Sequence, residues 1–284
     1  MNLPLKLKAA AMSAVFIFAL CMGHTAVFAD TVSATSSNWA GYIAQNGVYT
    51  GVSGTWIVPT IAASATLTSN ATWVGIGGKT TSDLIQAGVY EIADSDGITY
   101  QAWYEMLPGD STPINLTVSP GDSISVAILE TSQNTWNVVI TDNTTNQQFE
   151  QTVNYQSSLS SAEWIQERPL VNQSMSDLSG FTPVNFTGAT AVQNGQRINL
   201  AQTDPTMLNL VDAPTNTALA VPSVIGGDDM SFNVARTSAV ESPDNALVPS
   251  ASVPQSVIPI PSSGFHHSGY GVTWVIQFPL RKIE

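Results

Sequence analysis

The chain has 284 residues, of which 43% are hydrophobic, and it carries 21 acidic residues against only 8 basic ones. A formal charge of −13 at pH 7 leaves no basic patch to neutralise phosphates, which argues against a nucleic-acid partner. One cysteine and three histidines are too few for a disulfide framework or a zinc site of these ligands. These counts do not exclude calcium bound by carboxylates, although no EF-type loop appears. We expect no metal or organic cofactor.

The first 29 residues are typical of an export signal. Lys6 and Lys8 precede an apolar run over residues 9–20, and small residues up to Ala29 have the spacing of a cleavage site. The run is too short to cross a bilayer comfortably. We expect cleavage after Ala29 and a secreted, extracellular protein without membrane attachment. Cleavage would remove two basic residues and the only cysteine, which would leave a formal charge of −15 and no thiol.

The scarcity of basic residues predicts an acidic working environment. At acid pH the carboxylates are protonated, and a chain rich in Lys and Arg would then repel itself strongly. With so few cations, this chain would keep only a small positive charge. An ordinary acidic secreted protein has the same composition, so composition leaves both interpretations open.

Short segments of alternating apolar and polar residues predict an all-β protein. Two of them flank the turn residues 120–122, and we expect these two to form a hairpin. No window beyond the export signal has sustained helical periodicity, which favours an antiparallel sandwich or barrel. The predicted strands cover residues 54–58, 114–118, 124–128, 136–140 and 149–155.

The composition changes after Arg236. Five prolines between residues 243 and 261 interrupt a stretch rich in Ser and Val, which cannot form central strands. We expect a catalytic domain over residues 30–236 and a Pro/Ser-rich C-terminal extension over residues 237–284. Residues 269–279 are compatible with one final strand.

Two catalytic constellations fit the sequence poorly. Residues 77–80 resemble the end of a phosphate-binding loop, but Trp73 stands where that motif requires glycine. A Ser-His-Asp triad would have to use His266 or His267, which are adjacent in the Pro-rich extension.

Three segments place polar side chains among tryptophans, and they supply the candidates Gln86, Glu105 and Glu167. In strands, Trp103 and Glu105 would share one face while Tyr104 would take the other. Burial beside aromatic rings would raise the pKa of a glutamate, which could then exchange a proton with water. A glutamine amide can donate to a developing oxyanion. These residues allow peptide hydrolysis without establishing it.

Two alternatives to a peptidase remain open on the residues alone. Glu105 and Glu167 could be the carboxylate pair of a glycoside hydrolase on a jelly-roll scaffold. A strand with one glutamate among aromatics is also common on a solvated surface, as in a non-catalytic carbohydrate-binding sandwich.

An ordered series of short motifs resembles the eqolisins, the glutamic peptidases. The resemblance implies an antiparallel β-sandwich of two large sheets, of the concanavalin A-like or jelly-roll type, with a substrate cleft on one concave face. The motifs are NWAGY at 38–42, WVGI at 73–76, LIQAG at 84–88, WYE at 103–105, PGD at 120–122 and AEWIQE at 162–167.

The resemblance further implies a secreted acid endopeptidase that acts on protein or peptide substrates, expected to be a monomer, with a catalytic Gln–Glu dyad. Matched residue by residue, the dyad falls on Gln86 and Glu167. Glu167 would activate water as a general base and then protonate the leaving amine, while Gln86 would orient the water and stabilise the oxyanion. The positions assigned to binding or supporting the site are Trp39, Trp73, Glu105, Trp103 and Tyr104.

The chain departs from the fungal eqolisins at two positions beside these motifs. Fungal members have aspartate where this chain has Gly77 and Gln101, so the carboxylate network around the dyad is predicted to be thinner. Fungal members also carry a basic propeptide, whereas Asn38 follows the predicted cleavage site by only a few residues.

Overall fold

The computed structural model describes residues 33–171 and 174–237, together with the backbone of Val275 and Ile276. The export signal, Cys21, and most of the extension with His266 and His267 lie outside the described residues. Within the described part, the chain forms strands and one 3-10 helix, Leu200–Thr203. The strands are β1 (Ser33–Ser36), β2 (Trp39–Ala44), β3 (Tyr49–Ile57), β4 (Thr68–Gly77), β5 (Leu84–Asp94), β6 (Gly97–Met106), β7 (Thr112–Pro113), β8 (Ser123–Ser132), β9 (Thr135–Asp142), β10 (Gln147–Asn154), β11 (Ala162–Glu167), β12 (Leu170–Val171), β13 (Ser174–Met175), β14 (Asp177–Leu178), β15 (Val184–Gln193), β16 (Gln196–Asn199), β17 (Thr206–Asp212), β18 (Thr217–Pro222), β19 (Phe232–Arg236) and β20 (Val275–Ile276).

The strands form two long ladders, which we call sheet 1 and sheet 2. Sheet 1 has the order β1-β17-β2-β11-β4-β5-β6-β7. Sheet 2 has the order β16-β15-β3-β8-β9-β10. Strands β18 and β19 join the two ladders, because β18 pairs with β17 and β19 pairs with both β18 and β15. All of these pairings are antiparallel except that of β1 with β17.

The two sheets pack face to face over a common apolar core. Trp164 of β11 donates its indole N–H to the backbone oxygen of Ser53 in β3 at 2.8 Å. A Cβ at Gly54 would lie only 3.1 Å from the Trp164 side chain and 3.2 Å from the Val74 side chain, so side chains of β11 and β4 pack directly against the β3 backbone there. Burial of large side chains between the sheets supplies the main stabilising contribution. The predicted all-β, antiparallel fold is confirmed.

The core contains side chains from both sheets. Its largest fully buried members are Trp56, Trp136, Trp164, Tyr42, Tyr49 and Phe186.

The hairpin predicted over residues 114–118 and 124–128 is wrong. Ile114, Leu116 and Val118 are buried as their alternation predicts, but they lie in an irregular segment after β7. The second half belongs to β8, which pairs with β3 and β9 instead. The apolar alternation correctly predicted which of these residues are buried, but it could not predict which strand each segment pairs with. The predicted strands at 54–58, 136–140 and 149–155 correspond to β3, β9 and β10.

One short pairing involves the C-terminal extension. Val275–Ile276 pairs in parallel with Leu170–Val171, a strand that begins three residues after Glu167. The rest of residues 269–279 lies outside the described residues. No helix in the described ranges is long and apolar enough to cross a membrane.

Candidate active site

One face of sheet 1, which we call the site face, collects most of the predicted site residues. Directly paired residues of neighbouring strands project to the same face, so the registers define three rows across β11, β4, β5 and β6. The first row is Glu163, Gly75, Gln86 and Glu105; the second is Ile165, Trp73, Gly88 and Trp103; the third is Glu167, Ala71, Tyr90 and Gln101.

Gln86 and Glu105 form a direct side-chain pair in the first row. Gln86 Nε2 donates to Glu105 Oε2 at 2.6 Å, and both side chains are only 2% exposed. An amide nitrogen carries two hydrogens, so one N–H of Gln86 remains beyond the bond to Glu105. Glu105 thus fixes the direction in which the Gln86 amide projects.

Glu167 occupies the end of β11 and accepts hydrogen bonds on both carboxyl oxygens. Trp73 Nε1 donates to Oε2 at 2.7 Å, and Asn38 Nδ2 donates to Oε1 over a longer 3.4 Å. The carboxyl is 4% exposed. Glu167 is paired with Trp39 of β2, so a second tryptophan flanks it on the site face.

Aromatic rings build a rigid apolar frame around these polar groups. Trp39 meets Trp73 edge to face, with ring centroids 5.1 Å apart, and Tyr90 stacks on Trp103 with centroids 4.5 Å apart. Gly88 makes room for this frame, because a Cβ there would lie 2.6 Å from the Cβ of Trp73. Such a dry wall strengthens electrostatic interactions within the site.

Burial raises the pKa of both glutamates. It raises the pKa of Glu105 to about 8, although the hydrogen bond from Gln86 lowers it; the charges of Glu167 and Asp110 raise it further. Burial also raises the pKa of Glu167 to about 7, against the lowering effect of Trp73, Trp39 and Asn38. Trp39 Nε1 itself has no partner within hydrogen-bond geometry, so we assign the two direct bonds to Trp73 and Asn38.

The structure places Gln86 and Glu167 on the same face without direct contact between them. They stand in different rows, because Gln86 pairs with Gly75 whereas Glu167 pairs with Ala71. Trp73 lies in the row between them. The direct hydrogen-bond partner of Gln86 is Glu105, and those of Glu167 are Trp73 and Asn38.

Tyr104 does not line the site face, as the alternation along β6 predicts. Its neighbours in β6, Trp103 and Glu105, alternate onto that face, so Tyr104 points to the other side of sheet 1. There it packs against the core between the sheets and stacks on Phe149 with centroids 5.8 Å apart. Tyr104 can support the site only through the core.

The two departures from the fungal pattern have clear structural consequences. Gly77 has φ +93°, and a Cβ there would lie 2.7 Å from the backbone oxygen of Asp83. Gln101 donates its amide to the backbone oxygens of Ala102 and Ile114, at 2.9 and 2.7 Å. Neither position can supply a carboxylate to the site here.

Sequence reasoning missed three residues of this region. Asn38 contacts Glu167, Tyr90 shares a row with it, and Glu163 is a further fully buried glutamate on the same face. Burial pushes the pKa of Glu163 well above its ordinary value, partly offset by Ser161 and by the charge of Lys79. Strict alternation from Glu167 back along β11 would have identified Glu163.

Among the described residues, no group of three or more His, Cys, Asp or Glu side chains is arranged to hold a metal ion. The polar groups that this face offers to a substrate are the buried carboxyl, amide and indole groups of Glu105, Glu167, Gln86 and Trp73.

Comparison with known families assigns this antiparallel β fold to a class of hydrolase. The Peptidase A4 family model matches residues 37–235, more than two thirds of the chain. The chain therefore belongs to this family, and it is a peptide hydrolase of the glutamic peptidase, or eqolisin, class. The glycosidase and carbohydrate-binding alternatives are not supported.

Individual relatives point the same way. Aspergillopepsin-2 of Aspergillus niger is 28% identical over 220 residues, which cover 69% of this chain and 76% of the relative. Scytalidopepsin B of Scytalidium lignicola is 31% identical over 191 residues, which cover 62% and 72%. A crystal structure of scytalido-glutamic peptidase with a transition state analog inhibitor superimposes with a TM-score of 0.62 at 26% identity, over 72% of this chain and all of the other.

Proposed function

We propose that this peptidase cleaves peptide bonds with Glu167 as general base and then general acid, and with Gln86 as the donor to the oxyanion. The observation that carries the proposal is the pair of donors on Glu167. Trp73 and Asn38 each occupy one carboxyl oxygen from the β4 and β2 sides, which leaves a lone pair on each oxygen for a water molecule.

Glu167, one water molecule and the peptide bond supply every atom and proton that this reaction needs. Ionised Glu167 takes a proton from water while the water oxygen attacks the scissile carbonyl carbon, whose C=O electron pair moves onto the oxygen. Protonated Glu167 then gives its proton to the amide nitrogen as the C–N bond breaks. The product that contains the former carbonyl carbon retains the water oxygen in its new carboxyl group, and the other product leaves as the amine.

Gln86 would stabilise the oxyanion by donating to it the N–H that does not bond to Glu105. A donor fixed in advance costs little reorganisation as charge develops, and losing one such donor typically lowers kcat by about 10²–10³-fold. The 2.6 Å bond to Glu105 supplies this fixation. Glu105 is thus proposed to position Gln86 rather than to contact the reacting atoms.

The pKa of Glu167 sets the working range of this scheme. A general base must be ionised, and burial raises the pKa of Glu167 to about 7. The active form of the free enzyme is therefore populated as pH rises towards 7.

We also propose that the enzyme is exported, with residues 1–29 removed, and that it acts on protein or peptide substrates outside the cell. The support is the signal-like pattern of Lys6, Lys8 and the apolar run that follows them. N-terminal sequencing of the secreted protein would test the expected cleavage after Ala29.

The dyad is tested with labelled casein across a pH series. We expect Glu167→Gln to lose at least ~100-fold in kcat/KM, since a general base contributes about 10²–10⁴-fold. Gln86→Ala should lose a similar amount, while Glu150→Gln, on exposed β10, should match the unmodified chain. Near-normal turnover by a folded Glu167→Gln enzyme would refute the assignment.

A further inference from the structure

We propose that Asn38, held by Ser36, is a positioning residue that orients the Glu167 carboxyl and tunes the pH range in which it acts as a base. The proposal rests on the role proposed above for Glu167. It concerns a segment that precedes β2 and lies outside the predicted dyad and its tryptophans.

The side chain of Asn38 is fixed at both ends. Its Nδ2 donates to Glu167 Oε1 at 3.4 Å, and its Oδ1 accepts from Ser36 Oγ at 2.9 Å. A hydrogen bond to Oδ1 defines which end of the amide is the donor, so N–H groups point to the carboxyl. Asn38 is 1% exposed, so water cannot readily replace Ser36 or Glu167 as its partner.

Ser36 is itself fixed by the backbone. Its Oγ accepts from the backbone N–H of Asn38 at 3.3 Å and of Trp39 at 3.1 Å. With two N–H groups donating to it, the hydroxyl must direct its own hydrogen elsewhere, and Asn38 Oδ1 receives it. A short relay therefore runs from the start of β2 through Ser36 and Asn38 to Glu167.

Asn38 also fixes the backbone beside Glu167. The backbone N–H of Arg168 donates to the backbone oxygen of Asn38 at 2.7 Å, one rung beyond the final pair of Glu167 with Trp39. Arg168 directs its side chain away, to the backbone oxygen of Ser176 at 2.6 Å. Asn38 thus holds both the carboxyl and the chain that carries it.

The relay has a defined electrostatic effect. An N–H that donates to a carboxylate favours the ionised form, and Asn38 lowers the pKa of Glu167 in this way. The other titratable groups that act on this site are Glu105 on β6, Asp110 after it and Tyr90 on β5. Asn38 is not among the groups that act on Glu105 or Tyr90, so loss of the Asn38 amide should act first on Glu167 and reach Glu105 and Tyr90 only through the charge of Glu167.

Three variants separate positioning from simple loss of structure. Asn38→Ala removes the donor, and the ascending limb of kcat/KM should move up by ~0.5–1 pH unit. Asn38→Asp adds a carboxylate that repels ionised Glu167, so its limb should move further. Ser36→Ala should move the limb in the same direction by less, because Asn38 keeps its amide but loses its orientation.

Asn209→Ala is the matched control. Asn209 Nδ2 holds β1 through Ser33 Oγ at 3.0 Å, so this variant loosens the same strand without touching Glu167. Its pH profile should equal that of the unmodified chain.

The measurement is kcat/KM for labelled casein from pH 3 to pH 9, with the Tm of each variant recorded in parallel. The midpoint of the ascending limb should lie at the lowest pH in the unmodified chain, at a higher pH in Asn38→Ala and at the highest pH in Asn38→Asp. An unmoved limb in both Asn38 variants would overturn the proposal even if their activity fell. Glu167→Gln is assayed alongside, because activity in that variant would instead overturn the role of Glu167 itself.

Discussion

At the scale of single residues, Glu105 and Glu167 are buried carboxyls on one face with different hydrogen-bond partners. Glu105 accepts from an amide that the proposed mechanism uses, whereas Glu167 accepts from an indole and an amide that take no part in bond breaking. This difference in partners supports the division of roles, with Glu105 as anchor and Glu167 as base.

Glu105→Gln should therefore be tolerated below pH 7. Because the pKa of Glu105 is about 8, the residue is already neutral there, and a glutamine oxygen can still accept from Gln86. We expect kcat/KM within about 3-fold of the unmodified enzyme, whereas Glu105→Leu, which frees the Gln86 amide, should lose ~10-fold or more. A large loss in Glu105→Gln at pH 6 would show that the charge of Glu105 matters to the reaction.

Gly77→Asp, which restores the residue of the fungal pattern, should destabilise this chain without raising its activity. The backbone of Gly77 has φ +93°, and a Cβ would also lie 2.7 Å from the Asp83 backbone oxygen. We expect a loss of roughly 2–3 kcal/mol in the free energy of unfolding, measured by urea denaturation.

Gly97→Asp separates the two causes at position 77. Gly97 also has a positive φ, +125°, but a Cβ there would meet nothing within 4 Å. It should therefore show the cost of backbone strain alone. Equal losses at the two positions would mean that the contact with Asp83 does not matter.

At the scale of elements, alternation along a strand predicted which residues share a face but not which strands are neighbours. The sequence placed Trp103 with Glu105 and Ile165 with Glu167, and the registers agree. It could not reveal that β11 enters between β2 and β4, because that pairing joins residues about 90 positions apart along the chain. Without knowing that β11 lies beside β2, one cannot recognise Asn38 as a neighbour of Glu167.

The close approach of β4 and β5 gives a prediction at this scale. A Cβ at Gly88 would lie 2.1 Å from the Thr72 backbone oxygen and 2.6 Å from the Cβ of Trp73. Gly88→Ala should therefore force the two strands apart at the row that carries Trp73. We expect a loss of about 3 kcal/mol or more in stability, measured by thermal unfolding, together with loss of activity.

Trp73→Phe distinguishes the chemical role of this row from its structural role. It removes the indole N–H that donates to Glu167 but leaves the backbone pairing of β4 and β5 unchanged. We expect a folded enzyme with strongly reduced kcat.

If Gly88→Ala were stable and active, the apposition of β4 and β5 would not be needed to place Trp73.

At the scale of the whole molecule, the sandwich buries more carboxyl groups than its reaction uses. Glu91 lies on the core face of sheet 1, fully buried, where Thr72 Oγ1 donates to its Oε1 at 3.2 Å. Burial raises its pKa to about 8. Composition revealed an acidic chain, but only the three-dimensional pairing shows that several of its acids are enclosed where the neutral form is favoured.

These carboxyls predict that stability falls as pH rises. The folded chain keeps protons on Glu91 and Glu105 up to about pH 8 and on Glu167 up to about pH 7, whereas unfolded glutamates lose them near 4.5. Folding therefore takes up protons between these values, so the stabilisation is complete below about pH 4.5 and is lost as pH rises through 7 to 8. We expect the Tm to fall by more than ~10 °C between pH 4.5 and pH 8.5.

Glu91→Gln measures how much of this decline comes from Glu91, because the variant keeps the shape of the side chain and cannot ionise. Its Tm should decline less between pH 4.5 and pH 8.5 than that of the unmodified chain, and the two should differ most at the alkaline end. Glu150→Gln, at an exposed position of β10, should leave the decline unchanged. A Glu91→Gln profile parallel to that of the unmodified chain would mean that Glu91 ionises equally in the folded and unfolded states, and the alkaline loss would then belong to the carboxyls of the site face.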